Sequence, residues 1–113
     1  MRRLLGVIVA SIACAGCAQD AHERIQAYNN DGLSLYREGR FLDARESFQA
    51  ALVLKADDAG VLYNIAQCYD HEGNRDQAEK YYDQCLVRDP NHLACHHALL
   101  TLYVRNQRMP DAV

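Results

Sequence analysis

The sequence predicts an all-α protein made of helical hairpins that stack side by side. The chain overlays on itself at a shift of 34 residues, so that Gly39 maps onto Gly73. At the same shift, Phe48 maps onto Tyr82. Such a period is typical of repeat proteins in which each unit is one pair of helices. The 113 residues include only two prolines and six glycines, which allows long helices, and they suffice for one small domain.

The amino terminus is predicted to be an export signal. Two arginines precede the apolar core 4–13, and small residues follow up to Cys17, which is the three-part pattern of a secretory signal peptide. The apolar core is too short to span a bilayer, because spanning needs roughly 20 apolar residues. We therefore expect a signal peptide at 1–16 and a short tether at 17–24.

The end of this signal, Cys14-Ala15-Gly16-Cys17, resembles the lipobox of bacterial lipoproteins. In that class the cysteine after the small pair carries the lipid, and the resemblance assigns this role to Cys17. Cys14 stands where leucine is usual, and it is itself a second lipidation candidate. Cleavage after Ala15 without a lipid, or an anchor that is retained, would also fit this segment. The resemblance implies an exported, membrane-anchored lipoprotein, and Ala18 in place of aspartate implies the outer membrane, facing the periplasm.

The first repeat is predicted at 25–58. Its turn lies at Gly39, because glycine readily adopts the left-handed backbone angle that ends a helix. The second helix is predicted at about 41–54. Its inward residues follow helical spacing. They are Ala44, Phe48, Ala51 and Leu52.

The second repeat is predicted at 59–92. Asp57 and Asp58 are candidate caps of its first helix, since a carboxylate can accept a hydrogen bond from a free backbone N–H there. Gly73 forms its turn. Pro90 ends its second helix, because proline cannot continue the backbone hydrogen-bond pattern.

The segment 93–113 is predicted to be a partial third repeat or a capping helix. Leu99, Leu100 and Tyr103 are expected to continue the inward face of the repeats. Repeat arrays need about three units and usually end in a polar cap. Tyr103-Val104 is not polar, so we expect an open end that contacts a partner or a second copy of the chain. The chain could equally be a truncated piece of a longer array.

The order of large, small and aromatic positions in 59–92 resembles the tetratricopeptide repeat family. The positions that carry the resemblance are Leu62, Ile65, Ala66, Tyr69, Gly73, Ala78, Tyr82 and Pro90. The resemblance covers about 25–103 and implies an α-solenoid of two helix-turn-helix repeats plus one additional C-terminal helix. It also implies a concave groove, lined by the first helix of each repeat, that binds a peptide or loop of a protein partner.

The family's groove positions fall on polar and aromatic residues of this chain. The resemblance selects Asn29, Leu33, Tyr36, Arg37, Tyr63, Asn64, Gln67, Asp70, His71, His97, Thr101 and Arg105. Each of them could instead be ordinary solvated helix surface. Asn64 and Tyr63 are the strongest candidates, because Asn64 matches an asparagine that binds the ligand backbone in many members. The carboxylate clamp of chaperone-tail binders is not matched, since no basic residue occupies its positions.

The composition and motifs favour a non-catalytic binding protein without a cofactor. The formal charge of −3 offers no basic field for nucleic acid. The sequence contains no Gly-rich phosphate loop, nucleophile elbow or His-Glu-x-x-His motif. We therefore expect an adaptor or assembly factor in the bacterial cell envelope. A structural fragment of a longer array, or a thiol- or metal-binding module, would also be compatible with these motifs.

Three cysteines lie in the repeats, namely Cys68, Cys85 and Cys95. Antiparallel helices on either side of Pro90 could bring Cys85 and Cys95 together, which makes a disulfide a hypothesis for an oxidising compartment. The competing interpretation is that the cysteines act as small buried apolar residues.

Two histidines, His92 and His96, are spaced one helical turn apart, as two metal ligands could be. No carboxylate or second cysteine lies at ligand spacing nearby. The sequence therefore favours packing for His96 and groove surface for its neighbour His97, with no metal.

Overall fold

The computed structural model describes residues 2–55 and 57–106, with side chains from residue 20 onward. Five α-helices follow one another, and this part of the chain contains no strand. They are α1 (Arg2–Arg37), α2 (Phe41–Leu54), α3 (Ala59–His71), α4 (Arg75–Arg88) and α5 (Leu93–Arg105). The predicted all-α fold of two helical hairpins followed by one further helix is confirmed.

The first helix is longer than the repeat requires. It begins at Arg2 and includes the segment 17–24, which the sequence suggested as a tether. The side chain of Cys17 lies outside the described residues. Over the described residues, no helix is both long enough and apolar enough to cross a bilayer.

The turns within the two hairpins have the same construction. Gly39 and Gly73 have φ angles of 79° and 81°, which are the left-handed conformations predicted for them. After each glycine, a backbone N–H returns to a carbonyl five residues earlier, from Arg40 to Leu35 and from Asn74 to Tyr69, as in a Schellman helix end.

Side-chain caps fix the starts of α3 and α4, whereas α2 begins after Arg40 without such a cap. Asp58 accepts a hydrogen bond from the backbone N–H of Val61 at 3.2 Å, so it is the cap of α3 and Asp57 is not. Asn74 caps α4 in the same way by accepting from Gln77. Each such cap contributes about 1 kcal/mol to stability.

The interior consists of two adjoining clusters that share α3. The first cluster contains Ala44, Phe48, Ala51, Val61, Ile65 and Cys68. The second cluster contains Leu62, Ala66, Ala78, Tyr82, Cys85, Cys95, Ala98, Leu99 and Leu102. Since α3 contributes to both clusters, burial of its two faces fixes the order in which the hairpins stack.

The prediction that Leu100 of α5 belongs to the core is wrong. Leu100 is 50% exposed, whereas Leu99 and Leu102 are buried. Successive residues of a helix are rotated by about 100° around its axis. Leu100 therefore lies on the outer side of α5, although its neighbour Leu99 faces the core. There it continues an exposed stripe with Leu93 and Val104, which are 82% and 54% exposed.

Candidate functional site

Two neighbouring cavities open between α1 and α3, on the side predicted to be the groove. The larger, called the polar cavity here, has a volume of about 250 Å³ and is lined by His22, Ile25, Gln26, Asn29, Lys55, Asp58, Gly60, Val61 and Asn64. The smaller, called the aromatic cavity, has a volume of about 140 Å³ and is lined by Leu33, Tyr36, Phe48, Tyr63, Asn64 and Gln67. Asn64 lines both cavities and therefore stands at their junction.

Asn29 lines the polar cavity and carries a buried hydrogen-bond acceptor without a partner in the described part of the chain. Its Oδ1 atom is buried and has no hydrogen-bond partner among the described residues. A buried polar atom without a partner costs about 1–3 kcal/mol. Such an atom therefore favours a water molecule or a ligand that donates a hydrogen bond. Asn29 and Asn64 both line this cavity, so two predicted groove residues meet there.

The aromatic cavity is built over the buried ring of Phe48. The hydroxyl of Tyr36 donates to Oε1 of Gln67 at 3.3 Å, and Nε2 of Gln67 donates to the hydroxyl oxygen of Tyr82 at 2.5 Å. Burial raises the pKa of both Tyr36 and Tyr63, so these phenols stay neutral at physiological pH. Gln67, predicted as a ligand contact, is thus bound on both ends of its amide by the protein itself.

Two further predicted groove residues pair with each other. Nη2 of Arg105 lies 2.8 Å from each carboxylate oxygen of Asp70, which joins α5 to α3.

At the turn end of the groove, His71 stacks on Phe41 with ring centroids 4.6 Å apart and an angle of 7° between the planes. The ring of Tyr36 meets His71 edge-on.

Three predicted groove residues, Arg37, His97 and Thr101, are exposed and line neither of these two cavities. The hydroxyl of Thr101 donates to the carbonyl of His97 at 2.9 Å, within α5 itself. The structure therefore concentrates the enclosed part of the site between α1 and α3 and leaves the α5 side open.

The connection between α2 and α3 contributes to the polar cavity, which was not predicted from the sequence. Lys55 and Asp58, which flank this connection, line the polar cavity beside His22. Helical periodicity assigns faces to helices and carries no information on connections. The cap role of Asp58 was the one available signal.

The histidines around α5 have structural partners. Nδ1 of His92 accepts a hydrogen bond from the backbone N–H of Cys95 at 3.1 Å, which makes His92 the cap of α5. Nε2 of His96 lies 2.7 Å from the carbonyl oxygen of Pro90, and His96 is exposed rather than packed in the core as expected. Within residues 2–55 and 57–106, no three potential ligands lie close enough together to hold a metal ion.

Comparisons with known proteins identify relatives of this arrangement. Residues 35–103 match the tetratricopeptide repeat family. The photosystem I assembly protein Ycf3 of Synechococcus elongatus is 36% identical over 67 residues, which cover 57% of this chain and 39% of that protein. The Ycf3 protein of Cyanophora paradoxa has the same identity and coverage. The chain thus spans about two fifths of these curated relatives.

Solved structures with this fold include complexes with peptides. The type III secretion chaperone SycD of Yersinia enterocolitica, in complex with a peptide of the translocator YopD, superposes with a TM-score of 0.72 at 20% identity, covering 76% of this chain and 66% of that one. The second repeat domain of Spaghetti (RPAP3), bound to an HSP90 peptide, has a TM-score of 0.64 at 19% identity, covering 80% and 91%. At these identities the likeness establishes the fold.

Proposed function

Since the chain belongs to the tetratricopeptide repeat family, we propose that it is a non-catalytic adaptor or assembly factor that binds an extended segment of a partner protein between α1 and α3. The assembly role stated in the name of its curated relatives supports this class of function. The peptide complexes formed by structures of the same fold support the mode of binding.

The observation that carries the proposal is the position of Asn64 at the junction of the two cavities. A peptide bond seated there can pair with the side-chain amide of Asn64, which can both donate and accept a hydrogen bond. The adjacent aromatic cavity, floored by Phe48, takes one apolar side chain. An extended segment with an apolar residue beside an accessible backbone satisfies both cavities.

A displayed library of random ten-residue peptides, selected against the full chain, tests this proposal. We expect Asn64→Ala to weaken binding of the selected peptides about tenfold, because the loss of one or two hydrogen bonds corresponds to about 1–2 kcal/mol. Asn30→Ala is the matched control, since Asn30 follows Asn29 on α1, is exposed and lies outside both cavities. This substitution should change the affinity less than twofold. Selected peptides that bind Asn64→Ala and the unaltered protein equally would place the site elsewhere.

The anchoring in the bacterial envelope is a second part of the proposal. It is supported by the charged start, the apolar core 4–13 and the sequence Cys14-Ala15-Gly16-Cys17. The lipid on Cys17 would hold the protein at the outer membrane, facing the periplasm. Labelling with a radioactive fatty acid should fail for Cys17→Ser and persist for Cys14→Ser. Loss of the label in Cys14→Ser instead would assign the lipid to Cys14. Absence of label on the unaltered protein would rule out the lipid anchor.

The exposed stripe on α5 supports self-association of the chain. Leu93, Leu100 and Val104 are spaced so that they lie along one side of the helix, and all three are exposed. In a repeat array this side would be covered by a further helix. We expect dimers in sedimentation at about 100 μM that Leu100→Lys with Val104→Lys abolishes. Val53→Lys with Val87→Lys alters two exposed residues of the other helices and serves as the control.

A further inference from the structure

Cys85 of α4 and Cys95 of α5 meet inside the second core cluster. Both side chains are completely buried, and both residues carry free thiols. The thiol of Cys95 donates to the backbone carbonyl of Tyr82, at a distance of 3.1 Å. Because Tyr82 lies about one helical turn before Cys85 on α4, this contact places the sulfur of Cys95 against the turn of α4 that carries Cys85.

The third repeat cysteine lies in the other core cluster. Cys68 is equally buried, but it belongs to the first core cluster, together with Phe48 and Ile65. The geometry thus selects one pairing among the three that these cysteines allow.

We propose that Cys85 and Cys95 are an oxidisable pair whose disulfide fastens α5 onto α4. In this step an Sγ–Sγ bond forms and two S–H bonds break. The two protons and two electrons reduce the disulfide of the oxidant, such as oxidised glutathione, to two thiols. The proposal stands independently of peptide binding in the groove.

The burial of the pair determines when this reaction can occur. Burial raises the pKa of the Cys85 thiol and raises the pKa of Cys95 to about 12, so little thiolate exists in the closed protein. Oxidation therefore takes place during folding or when α5 opens locally, and the finished disulfide is shielded from reductants. The closed bond also keeps Arg105 of α5 in position for its ion pair with Asp70 of α3.

Tryptic peptide mapping offers a direct test, because trypsin cleaves after Lys80, Arg88 and Arg105. The full chain is refolded in oxidised glutathione, its remaining thiols are alkylated, and it is digested without reduction. We expect peptides 81–88 and 89–105 to be joined, with the mass of two hydrogens lost, and Cys68 to be alkylated. Alkylated Cys85 and Cys95, or a bond from either residue to Cys68, would overturn the proposal.

Hydrogen exchange measures the effect on α5. Closing a loop of about 11 residues corresponds to at most about a hundredfold reduction in opening. We expect exchange of the Leu99 and Leu102 amides to slow by between tenfold and a hundredfold on oxidation. Cys68→Ala should keep this difference and Cys85→Ala should lose it. An oxidised protein whose α5 exchanges as fast as in the reduced protein would contradict the fastening of α5.

Discussion

Nε2 of Gln67 donates a hydrogen bond to the hydroxyl oxygen of Tyr82, which connects a residue of the groove to the largest side chain of the second core cluster. The other end of the Gln67 amide accepts from Tyr36 of α1. Three helices, α1, α3 and α4, are therefore linked through one amide. The position of the aromatic cavity depends on a contact made in the interior.

Removal of the Tyr82 hydroxyl should lower stability without emptying the core. We expect Tyr82→Phe to reduce the free energy of unfolding by about 1 kcal/mol, because it leaves a half-buried amide N–H without its acceptor. Urea denaturation measures this loss. Tyr81→Phe is the matched control, since Tyr81 of α4 stacks on Tyr69 through its ring and its hydroxyl has no hydrogen bond to a described residue. Equal losses for both variants would contradict the role given to the hydroxyl.

The contribution of Arg45 to stability should depend on the planar shape of its guanidinium group more than on its charge. Its Nε and Nη2 atoms donate to the two carboxylate oxygens of Glu72 at 2.9 and 3.0 Å, and its Cζ lies 4.3 Å from the ring centroid of Tyr69. Lysine cannot reproduce this two-point pairing and stacking. We expect Arg45→Lys to reduce the free energy of unfolding by about 1 kcal/mol.

Arg40 provides the control for this prediction. The side chains of Arg40 and its partner Asp43 are 58% and 45% exposed, against 18% and 23% for Arg45 and Glu72. Exposed ion pairs contribute between about 0 and 1 kcal/mol. Arg40→Lys should therefore change the urea midpoint little. A larger effect at Arg40 than at Arg45 would refute the reasoning from burial.

Gly32 should not tolerate a methyl group. An added Cβ would lie 2.6 Å from the ring of Phe48, which is fully buried and cannot move aside. We expect Gly32→Ala to lower the free energy of unfolding by about 1–3 kcal/mol, the usual cost of overpacking. Gly60→Ala on α3 meets only the Asp58 carboxylate, at 3.3 Å, and should stay within about 0.5 kcal/mol. A thermally unchanged Gly32→Ala would show that α1 and α2 can separate without cost.

Stability should fall in alkaline solution. Burial raises the pKa of Cys68 from 9.0 to about 12, so the folded protein favours the protonated thiol. The stabilisation is fully present below pH 9 and is lost as the pH rises toward 12, because the unfolded chain releases the proton first. Urea unfolding between about pH 8 and pH 11 measures the slope. Cys68→Ala should make the fall of the unfolding free energy with pH shallower by up to about 1.4 kcal/mol per pH unit. An unchanged slope would contradict the raised pKa of the buried Cys68 thiol.

The fold was predictable because its constraints are local and periodic. Gly39 and Gly73 have the left-handed angles that their positions after a helix required. The spacing of Ala44 and Phe48 identified the buried side of α2. Leu100 was placed wrongly because both Leu99 and Leu100 are large and apolar, and only the packing of α5 on α4 distinguishes the two.

The site was less predictable because it depends on which polar groups meet across helices. Gln67, Asp70 and Arg105 carry the polar chemistry of a groove, yet each already has a partner within the protein. Asn29 differs from them only through its unpaired Oδ1. Helical spacing identifies the face on which these residues lie, and it cannot reveal which of them remain free to bind.

The uninterrupted course of α1 has a consequence for how bound cargo is oriented. In the proposed anchored protein, helix leads from the attachment at Cys17 to Asn29 without a break, so Asn29 has a set distance from Cys17 along the helix axis and a set angle from it around that axis. Each residue adds about 1.5 Å and turns the helix by about 100°. Deleting two residues between Cys17 and Asn29 would therefore rotate the groove around the helix axis to nearly the opposite side of α1 from its present position relative to Cys17. Deleting seven would shorten its distance from Cys17 by about 10 Å and leave that angle almost unchanged.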